Sequence, residues 1–321
     1  MSATSPHRIT LIGLGTIGMS MVALHLAREN TIVDAFDTRP DIIDYILKTL
    51  PNFLADSSSQ SEPESRASQV ASLISSGRLH IHSSLETACA SATVVQEQGP
   101  ENLEFKQSIW KKVETLAPPS AHFWTSTSGI AASKQQELLQ DKTRLLVVHP
   151  FNPPHIMPLL EIVPAPETAP DRVDFAREYF SIPGSRHRPV VIRKEIPGFV
   201  GNRLAFALLR EACHLVQEDV VTAQDLDTIL MASLGPRWAG NGLFESYQQG
   251  GGEGGIGAFL DKLGGTMQEV WDGLGQVNVA DVKEKVTQQT DEAYGTLSSE
   301  QTRREKEERL REFLKVQTQR Y

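Results

Sequence analysis

The segment VVHPFNPP, residues 147–154, places a histidine and three prolines at the end of an apolar run. The preceding LLVV is typical of a buried strand, and proline lacks the backbone donor that a sheet ladder needs, so a rigid turn is predicted here. His149 then stands at the carboxyl end of a strand, the edge where open parallel α/β sheets bind ligands. This segment alone leaves open whether His149 is a working group or a satisfied structural residue.

A second segment suited to chemistry is the glycine loop Gly13-Leu14-Gly15-Thr16-Ile17-Gly18, between an apolar strand and an apolar helix. Gly13 permits a tight turn, Gly15 lets the backbone approach a pyrophosphate, and Gly18 allows close helix–strand packing. The helix N-terminus at Thr16 and Ile17 faces the negative charge. Asp37 closes the second strand nineteen residues after Gly18, where a carboxylate can hold ribose hydroxyls. The segment therefore predicts a dinucleotide site.

The choice between NAD and NADP depends on two side chains. The Asp37 carboxylate repels the 2′-phosphate of NADP, so NAD is the predicted cofactor. Arg39 complicates this choice, because an arginine there can stack on adenine or accommodate that phosphate. The alternative, in which the glycines only make a turn, is disfavoured because strand, helix and acid occur together.

The elements that must position these residues alternate between strand and helix patterns over roughly the first 190 residues, which predicts an α/β domain with a doubly wound parallel Rossmann sheet. Strands are predicted at RITLIG, TIVDAF, RLHIH, ATVVQ, AHFWTS, RLLVV, MPLLEIV and PVVIR. The polar stretch at residues 55–68 is predicted to be a flexible loop between helices. Helical patterns follow Pro197, so we predict an NAD-binding domain over residues 1–193 and a smaller all-helical domain over residues 194–321.

Composition limits the class of protein. The chain has 321 residues and 40% hydrophobic content, enough for a sizeable core. A formal charge of −9 argues against a general binder of nucleic acid or acidic membranes. Cys89 and Cys213 have no metal-ligand spacing, so no metal site and no disulfide framework is predicted. The N-terminus lacks the apolar core of a signal peptide and no run is long enough to span a membrane, so a cytoplasmic protein is expected.

Further motifs follow in order: VVQEQGPENLEFK at residues 94–106, TSTSG at 125–129, HPFNPP at 149–154, a glutamate twelve residues past His149, and PGFVGNR at 197–203. Together with the glycine loop, this series resembles the 3-hydroxyacyl-CoA dehydrogenase superfamily over most of the chain. The segment GPRWAGNGLFES and the GGEGG after it are more similar to the branch that contains lambda-crystallin, L-gulonate 3-dehydrogenase and carnitine 3-dehydrogenase. That resemblance implies oxidation of small free hydroxy acids rather than thioesters.

The resemblance also assigns roles to particular residues. His149 matches the base that removes the hydroxyl proton as hydride leaves for nicotinamide, and Glu161 matches its partner carboxylate. Ser128 and Asn202 match ligands of the substrate oxygen; alone, both would be more typical of caps. Three residues are assigned to the cofactor site, the last two beside the nicotinamide: Glu97, Glu101 and Lys106. The remaining histidines considered match no catalytic position: His80, His82, His155, His187 and His214.

The substrate is less firmly indicated. Gly242 is followed by Leu243 where thioester-using relatives carry proline, and residues 55–68 hold three acids and one arginine where coenzyme A phosphates would need basic groups. Both features favour a small hydroxy acid. Arg237, in an element similar to the free-acid branch, is predicted to grip a carboxylate with two hydrogen bonds. A helix-end arginine that bonds carbonyls is an equally open interpretation.

Several alternatives remain. The first is a 3-hydroxyacyl-CoA dehydrogenase that acts on a thioester. A 3-hydroxyisobutyrate-type dehydrogenase would need a lysine motif that this chain lacks. A crystallin-like structural protein or a nucleotide sensor need not keep both His149 and Glu161, so the pair favours an enzyme. The apolar segment FALLREACHLV and the resemblance together lead us to expect a homodimer.

Overall fold

A computed structural model describes residues 6–54, 63–182, 185–295 and 300–318 of the chain. The chain divides into two compact units, Met1–Asn202 and Arg203–Tyr321. Within the described residues, no helix combines the length and the apolar character that crossing a membrane requires.

The first unit is built on one eight-stranded sheet with the order β3-β2-β1-β4-β5-β6-β7-β8. The strands are β1 (His7–Ile12), β2 (Thr31–Phe36), β3 (Leu79–His82), β4 (Val94–Glu97), β5 (His122–Thr125), β6 (Leu145–Pro150), β7 (Leu159–Pro164) and β8 (Arg188–Val191). All eight lie where the apolar runs predicted strands. The predicted α/β class is thereby confirmed.

One pairing departs from the predicted parallel sheet, because β7 runs antiparallel to β6. A parallel return needs a crossover of a dozen or more residues, usually a helix. Residues 151–158, which connect the two strands, contain no helix, so the chain turns back directly. β8 is again parallel to β7.

Helices cover the sheet of this unit: α1 (Thr16–Leu26), α2 (Ile42–Thr49), α3 (Pro51–Leu54), α4 (Pro63–Ser75), α5 (Leu85–Cys89), α6 (Leu103–Leu116), α7 (Ala132–Gln135) and α8 (Pro170–Phe180). The loop predicted at residues 55–68 was wrong in its last part, since α4 begins at Pro63, which suits proline at a first helical turn. Residues 55–62 lie outside the described residues.

Two apolar layers form the core, one on each face of the sheet. Leu146 and Val148 of β6 face the layer that contains α1 and α8, whereas Leu145 and Val147 face the layer with Trp110 of α6. This alternation buries both faces, as expected of a central strand in a doubly wound sheet. Cys89 belongs to the second layer, and burial raises the pKa of its thiol to about 12, so the thiol is unreactive at neutral pH.

The second unit is helical, as predicted, with α9 (Gly201–Gln217), which starts in the last residues of the first unit, α10 (Ala223–Ala232), α11 (Leu234–Asn241), α12 (Leu243–Gly250), α13 (Gly255–Asp272), α14 (Val279–Tyr294) and α15 (Glu300–Thr318). Large apolar side chains of this unit are exposed. Leu204 and Phe206 of α9 are each 61% exposed, and Phe244 of α12 is 75% exposed.

Candidate active site

The sheet order reverses between β1 and β4: β2 and β3 lie on one side of this pair and β5 to β8 on the other. In open α/β sheets, ligands bind in the crevice that such a reversal leaves outside the carboxyl ends of the strands. The glycine loop follows β1, and the segment QGPENLEFK follows β4. Both predicted cofactor segments therefore meet at this crevice.

The three loop glycines each meet a different steric demand. Gly13 has φ +88°, a backbone conformation that residues with a side chain rarely adopt. A Cβ at Gly18 would lie 2.0 Å from the carbonyl oxygen of Gly13, so only glycine fits there. Gly15 has open space around its missing Cβ, and no side chain caps the start of α1 after it. The exposed N-terminus of α1 thus offers its backbone N–H groups to an anion.

Asp37 joins this loop to the neighbouring strand. Its Oδ2 accepts a hydrogen bond of 2.6 Å from the Leu14 amide, and its Oδ1 accepts one of 2.9 Å from the Arg39 amide. A cavity of about 710 Å³ opens here, lined by Phe36 to Asp44 together with His82 and Ser83. A carboxylate keeps further acceptor positions beyond two hydrogen bonds, so Asp37 can still receive ribose hydroxyls. The loop and the cavity fit a dinucleotide that carries a free 2′-hydroxyl.

Arg39, the residue that complicated the cofactor choice, is engaged within the protein. Its guanidinium lies 3.7 Å from the ring centroid of Tyr45, and its Nε donates to Asp41 over 2.8 Å. A 2′-phosphate would have to compete with both contacts and with the Asp37 carboxylate. The arrangement therefore favours NAD.

His149 and Glu161 lie side by side. They are register partners across β6 and β7, and Nδ1 of His149 lies 2.8 Å from Oε2 of Glu161. Because a carboxylate accepts and cannot donate, Nδ1 carries the proton and Nε2 of the neutral ring carries the lone pair. Within the described residues, Nε2 makes no hydrogen bond. The imidazole is therefore oriented with a free acceptor, as a general base requires.

The other oxygen of Glu161 reaches the start of α9. Oε1 accepts hydrogen bonds from the amides of Val200 (3.0 Å) and Gly201 (2.9 Å). Burial alone would raise the pKa of Glu161, but the hydrogen bonds from His149, Gly201 and Val200 outweigh it and hold the pKa below its usual range. The carboxylate is thus charged at neutral pH, where it can stabilise an imidazolium beside it.

The turn before α9 fixes this contact. Gly198 has φ +73° and Phe199 has φ +50°, a left-handed pair that costs conformational energy for a non-glycine residue. Phe199 is completely buried, and its ring lies 5.4 Å from that of His149. The Phe151 ring also lies near His149, with its centroid 5.3 Å from that of the imidazole. It fills the space that a side chain at Gly201 would need. Two aromatic rings therefore hold the imidazole.

Ser128 and Asn202 are also brought together. Nδ2 of Asn202 donates to the backbone carbonyl of Ser128 over 3.0 Å. Glu101 shapes the same turn, because its Oε1 accepts hydrogen bonds from the amides of Ser128 (3.1 Å) and Gly129 (3.0 Å). Asn202 follows Gly201, whose amide binds Glu161. The four residues predicted to be catalytic thus belong to one hydrogen-bonded assembly within the first unit.

Glu97 and Lys106, both predicted to lie at the cofactor site, form a buried ion pair with each other. Both side chains are buried, at 0% and 1% exposure, and Nζ of Lys106 lies 3.0 and 2.9 Å from the two carboxylate oxygens of Glu97. Thr125 and the Gly99 amide also donate to Glu97. Nζ approaches Glu101 only to 3.8 Å. The pair therefore holds the turn after β4, and any contact of Lys106 with a cofactor stays a prediction.

Arg237 lies in the second unit, in the first turn of α11, and is exposed. It makes no hydrogen bond or ion pair with the described residues. The helix-end interpretation, in which it bonds carbonyls, has no contact to support it, and the carboxylate grip stays a prediction.

Sequence reasoning missed three contributors. The sequence motifs assign no role to Phe151 or Phe199, and His155 matches no catalytic position. The His155 amide donates to Oγ of Ser20 over 2.9 Å, and Nδ1 of the ring lies 2.7 Å from the same oxygen. These bonds tie the proline turn to α1. The available signal was position, since each residue lies within a few residues of His149 or Gly201.

Comparison with known proteins agrees with this architecture. The sequence model of the 3-hydroxyacyl-CoA dehydrogenase NAD-binding domain matches residues 8–196, and that of the C-terminal domain of the same family matches residues 198–293. An L-carnitine dehydrogenase of Streptomyces coelicolor is 34% identical over 271 residues, 84% of this chain and 82% of the relative. A 3-hydroxyacyl-CoA dehydrogenase of Gibberella moniliformis is 33% identical over 80% of this chain and 77% of its own.

Among solved structures, that of 5-formyl-3-hydroxy-2-methylpyridine 4-carboxylic acid 5-dehydrogenase, described as an NAD+ dependent dismutase, superimposes with a TM-score of 0.76. It is 28% identical and covers 97% of both chains. The glycine loop, the Asp37 cavity and the two matched domains establish an oxidoreductase with an NAD-binding domain. The chain belongs to the 3-hydroxyacyl-CoA dehydrogenase family.

Proposed function

We propose that this protein oxidises the 3-hydroxyl of a small free hydroxy acid, carnitine-like or L-gulonate-like, to the 3-oxo acid with NAD. The observation that carries the proposal is the His149–Glu161 pair, in which Nε2 of His149 is free. Glu161 accepts a hydrogen bond from the Gly201 amide, and the next residue, Asn202, donates to the Ser128 carbonyl. A nucleotide sensor would have no need of an oriented base beside such polar groups. NAD supplies the acceptor for the hydride.

In the proposed reaction, Nε2 of His149 takes the proton of the substrate hydroxyl. The Glu161 carboxylate holds the ring in the reactive tautomer and stabilises the imidazolium as it forms. The amides of Val200 and Gly201 keep that carboxylate ionised and in place. A positioned base of this kind accounts for about 10²- to 10⁴-fold in rate.

Ser128 and Asn202 then serve the oxygen that loses its proton. The Ser128 hydroxyl and the Asn202 amide donate hydrogen bonds to the developing alkoxide, where such bonds strengthen as charge accumulates. The Glu101 carboxylate orients the Ser128 turn by accepting hydrogen bonds from the backbone amides of Ser128 and Gly129. These residues act without changing their own protonation state.

The free-acid substrate is favoured by the relatives at 33–34% identity that are named L-carnitine dehydrogenases. Within the described residues, Arg237 is exposed and makes no hydrogen bond or ion pair, so its guanidinium is available to a substrate carboxylate. The thioester reaction is the second candidate, because the Gibberella moniliformis relative carries that name.

A substrate panel tests this proposal. L-carnitine, L-gulonate, free 3-hydroxybutyrate and 3-hydroxybutyryl-CoA are assayed with NAD by following the absorbance of the reduced cofactor. We expect kcat/KM for one of the free acids to exceed that for the thioester. A preference for the thioester would replace the proposal by its alternative, and turnover of none by a protein that binds NAD would support the sensor.

We further propose a cytoplasmic homodimer. Apolar side chains of α9, among them Leu204 and Phe206 at 61% exposure each, face outward, and exposed apolar surface of this kind commonly marks a contact with a partner. A second copy of the chain would cover it. Light scattering after size-exclusion chromatography should give twice the mass of the chain, and Phe206→Asp should lower it towards that of a single chain.

A further inference from the structure

A cluster of potential metal ligands lies on the edge of the sheet and takes no part in the proposed reaction. Asp34 of β2 is a register partner of His80 on β3, and His82 follows two residues later. Since side chains alternate along a strand, His80 and His82 point to the same face as Asp34. The ligand atoms of all three residues lie within 4.8 Å of one another.

The hydrogen bond of His80 to Gly77 leaves Nδ1 of its ring directed toward Asp34. Its Nε2 lies 2.8 Å from the carbonyl oxygen of Gly77, and a carbonyl only accepts, so Nε2 must donate. In the neutral ring, Nδ1 then presents a lone pair, and it lies 3.9 Å from Oδ1 of Asp34. A cation between the two atoms would be a partner for both the lone pair and the carboxylate. The geometry therefore offers a place for a positive ion beside Asp34.

His82 is arranged in a complementary way. Its Nε2 lies 2.8 Å from Oδ1 of Asp34, and its Nδ1 lies 3.1 Å from the hydroxyl of Thr87. A hydroxyl can accept as well as donate, so Nδ1 can hold the proton while Nε2 turns its lone pair to an ion. Metal-bound histidines almost always donate their second nitrogen to such an outer partner. Gly77 and Thr87 are placed to serve both rings in this way.

We propose that Asp34, His80 and His82 bind one divalent transition-metal ion of the zinc type. Two imidazole nitrogens and one carboxylate oxygen are a donor set that zinc, cobalt and nickel accept. Bonds of about 2.0–2.2 Å place tetrahedral ligands roughly 3.4 Å apart. His82 must therefore move away from Asp34 by a few tenths of an ångström and His80 must approach. The two imidazole side chains are 17% and 40% exposed, so they can adjust.

Arg8 is the competitor for this site. Its NH2 group and Nε lie 2.7 and 3.0 Å from the two oxygens of Asp34, and the Asp34 side chain is 1% exposed. The guanidinium neutralises the buried carboxylate and repels a second cation. Its own side chain is 29% exposed, so it can keep the Oδ2 contact while Oδ1 turns to the metal. Arg8 should weaken metal binding without preventing it.

His82 joins the site to the cavity at Asp37, which it also lines. A metal ion would fix the ring that forms that wall. The metal proposal does not depend on the proposed reaction, since every contact that carries it lies on β1, β2, β3, Gly77 before β3 and Thr87 of α5.

The test uses the full chain without an affinity tag. Zinc binding is measured by isothermal titration at about pH 8, where free histidine is neutral, and cobalt binding by its visible absorption. We expect one saturable ion per chain. His80→Gln and His82→Gln should each weaken binding at least tenfold, and Thr87→Val by about tenfold. Arg8→Gln should strengthen it, an effect that nonspecific binding would not show.

His214→Gln in the second unit is the matched control and should leave affinity unchanged. Circular dichroism establishes that each variant is folded. If a variant does not fold, the unaltered protein replaces it in a modification experiment. The protein is treated with diethylpyrocarbonate with and without zinc, and mass spectrometry shows whether zinc protects His80 and His82 specifically. Absence of saturable binding, equal affinity in the two histidine variants and the control, or equal modification with and without zinc would overturn the proposal.

Discussion

His149 and Glu161 are directly opposite each other on antiparallel strands, and their side chains meet at 2.8 Å between Nδ1 and Oε2. Register partners point to the same face of a sheet, so the backbone ladder itself sets this approach. The charged oxygen is further held by two amides at the start of α9. The pair is therefore built into the sheet and does not depend on a flexible loop.

Substitution of either partner should act on turnover rather than on cofactor binding. His149→Ala removes the base and should lower kcat by about 10²- to 10⁴-fold. Glu161→Gln keeps the acceptor for Val200 and Gly201 but removes the charge, and should cost a comparable factor. Steady-state kinetics with the best substrate of the panel measures both, and a fluorescence titration should show near-normal NAD affinity.

The double variant separates a catalytic pair from two independent effects. Because the two groups act as a unit, His149→Ala with Glu161→Gln should be hardly slower than His149→Ala alone. His214→Ala serves as the control for histidine replacement. Losses that multiply in the double variant would show that Glu161 acts on something other than His149.

Cofactor choice should depend on Asp37. Asp37→Ala removes an acceptor of ribose hydroxyls and the repulsion of a 2′-phosphate, so NAD should bind about tenfold or more weakly and discrimination against NADP should relax. Dissociation constants for both cofactors, measured by fluorescence, test this. Asp174→Ala on the exposed face of α8 removes the same charge elsewhere and should change neither. A preference of the unaltered protein for NADP would make Arg39 the determinant.

Much of this architecture follows from local patterns, since strand period and glycine spacing depend on neighbours in the chain. His149 and Asp37 were located because each ends a strand. The antiparallel course of β7 was missed, because the direction of a strand is not written in its apolar pattern. Contacts between distant segments were also missed. Nothing in the spacing of Asp34 and His80 indicates that they are partners. Likewise, the spacing of Glu97 and Lys106 does not show that α6 packs Lys106 against Glu97 as a buried ion pair.

The Glu97–Lys106 pair should contribute strongly to stability. Removing one member of a buried ion pair leaves an uncompensated charge, so Lys106→Met should lower the free energy of unfolding by about 3–5 kcal/mol. Glu97→Gln with Lys106→Met removes both charges and should recover a large part of that loss. Urea denaturation followed by circular dichroism measures each variant. If the double variant is less stable than Lys106→Met, the neutral side chains do not satisfy Thr125 and Gly99, and the interpretation fails.

A buried histidine should make the protein sensitive to acid. His25 is fully buried between the Tyr179 hydroxyl and Gln96, at 2.8 Å from each, and burial lowers its pKa to about 3. In the unfolded chain its pKa is about 6.5. Between these values the unfolded state binds the proton and the folded state does not, so stability should fall by about 1.4 kcal/mol for each pH unit as the pH decreases.

His25→Gln isolates this contribution. The variant should be less stable at neutral pH, because it loses a hydrogen-bonded ring, but its stability should change less between about pH 6.5 and pH 4. His122, whose pKa burial lowers to about 4, adds to the slope in both proteins and cancels in the difference. Urea denaturation across this range measures the two slopes. Identical slopes would mean that His25 takes up a proton in the folded state.

Arg237 provides a direct test of the free-acid substrate. A guanidinium can bind a carboxylate with two parallel hydrogen bonds, which a thioester carbonyl cannot reciprocate. Arg237→Met keeps much of the side-chain length but removes the guanidinium. We therefore expect KM for the free acid to rise, which corresponds to a loss of binding free energy on the order of 2 kcal/mol. Arg210→Met, also an exposed arginine of the helical unit, is the matched control. KM for the ester of the same acid should rise much less, because the ester has no carboxylate for Arg237 to bind. Equal losses on acid and ester, or none on either, would assign Arg237 to structure and favour the thioester reaction.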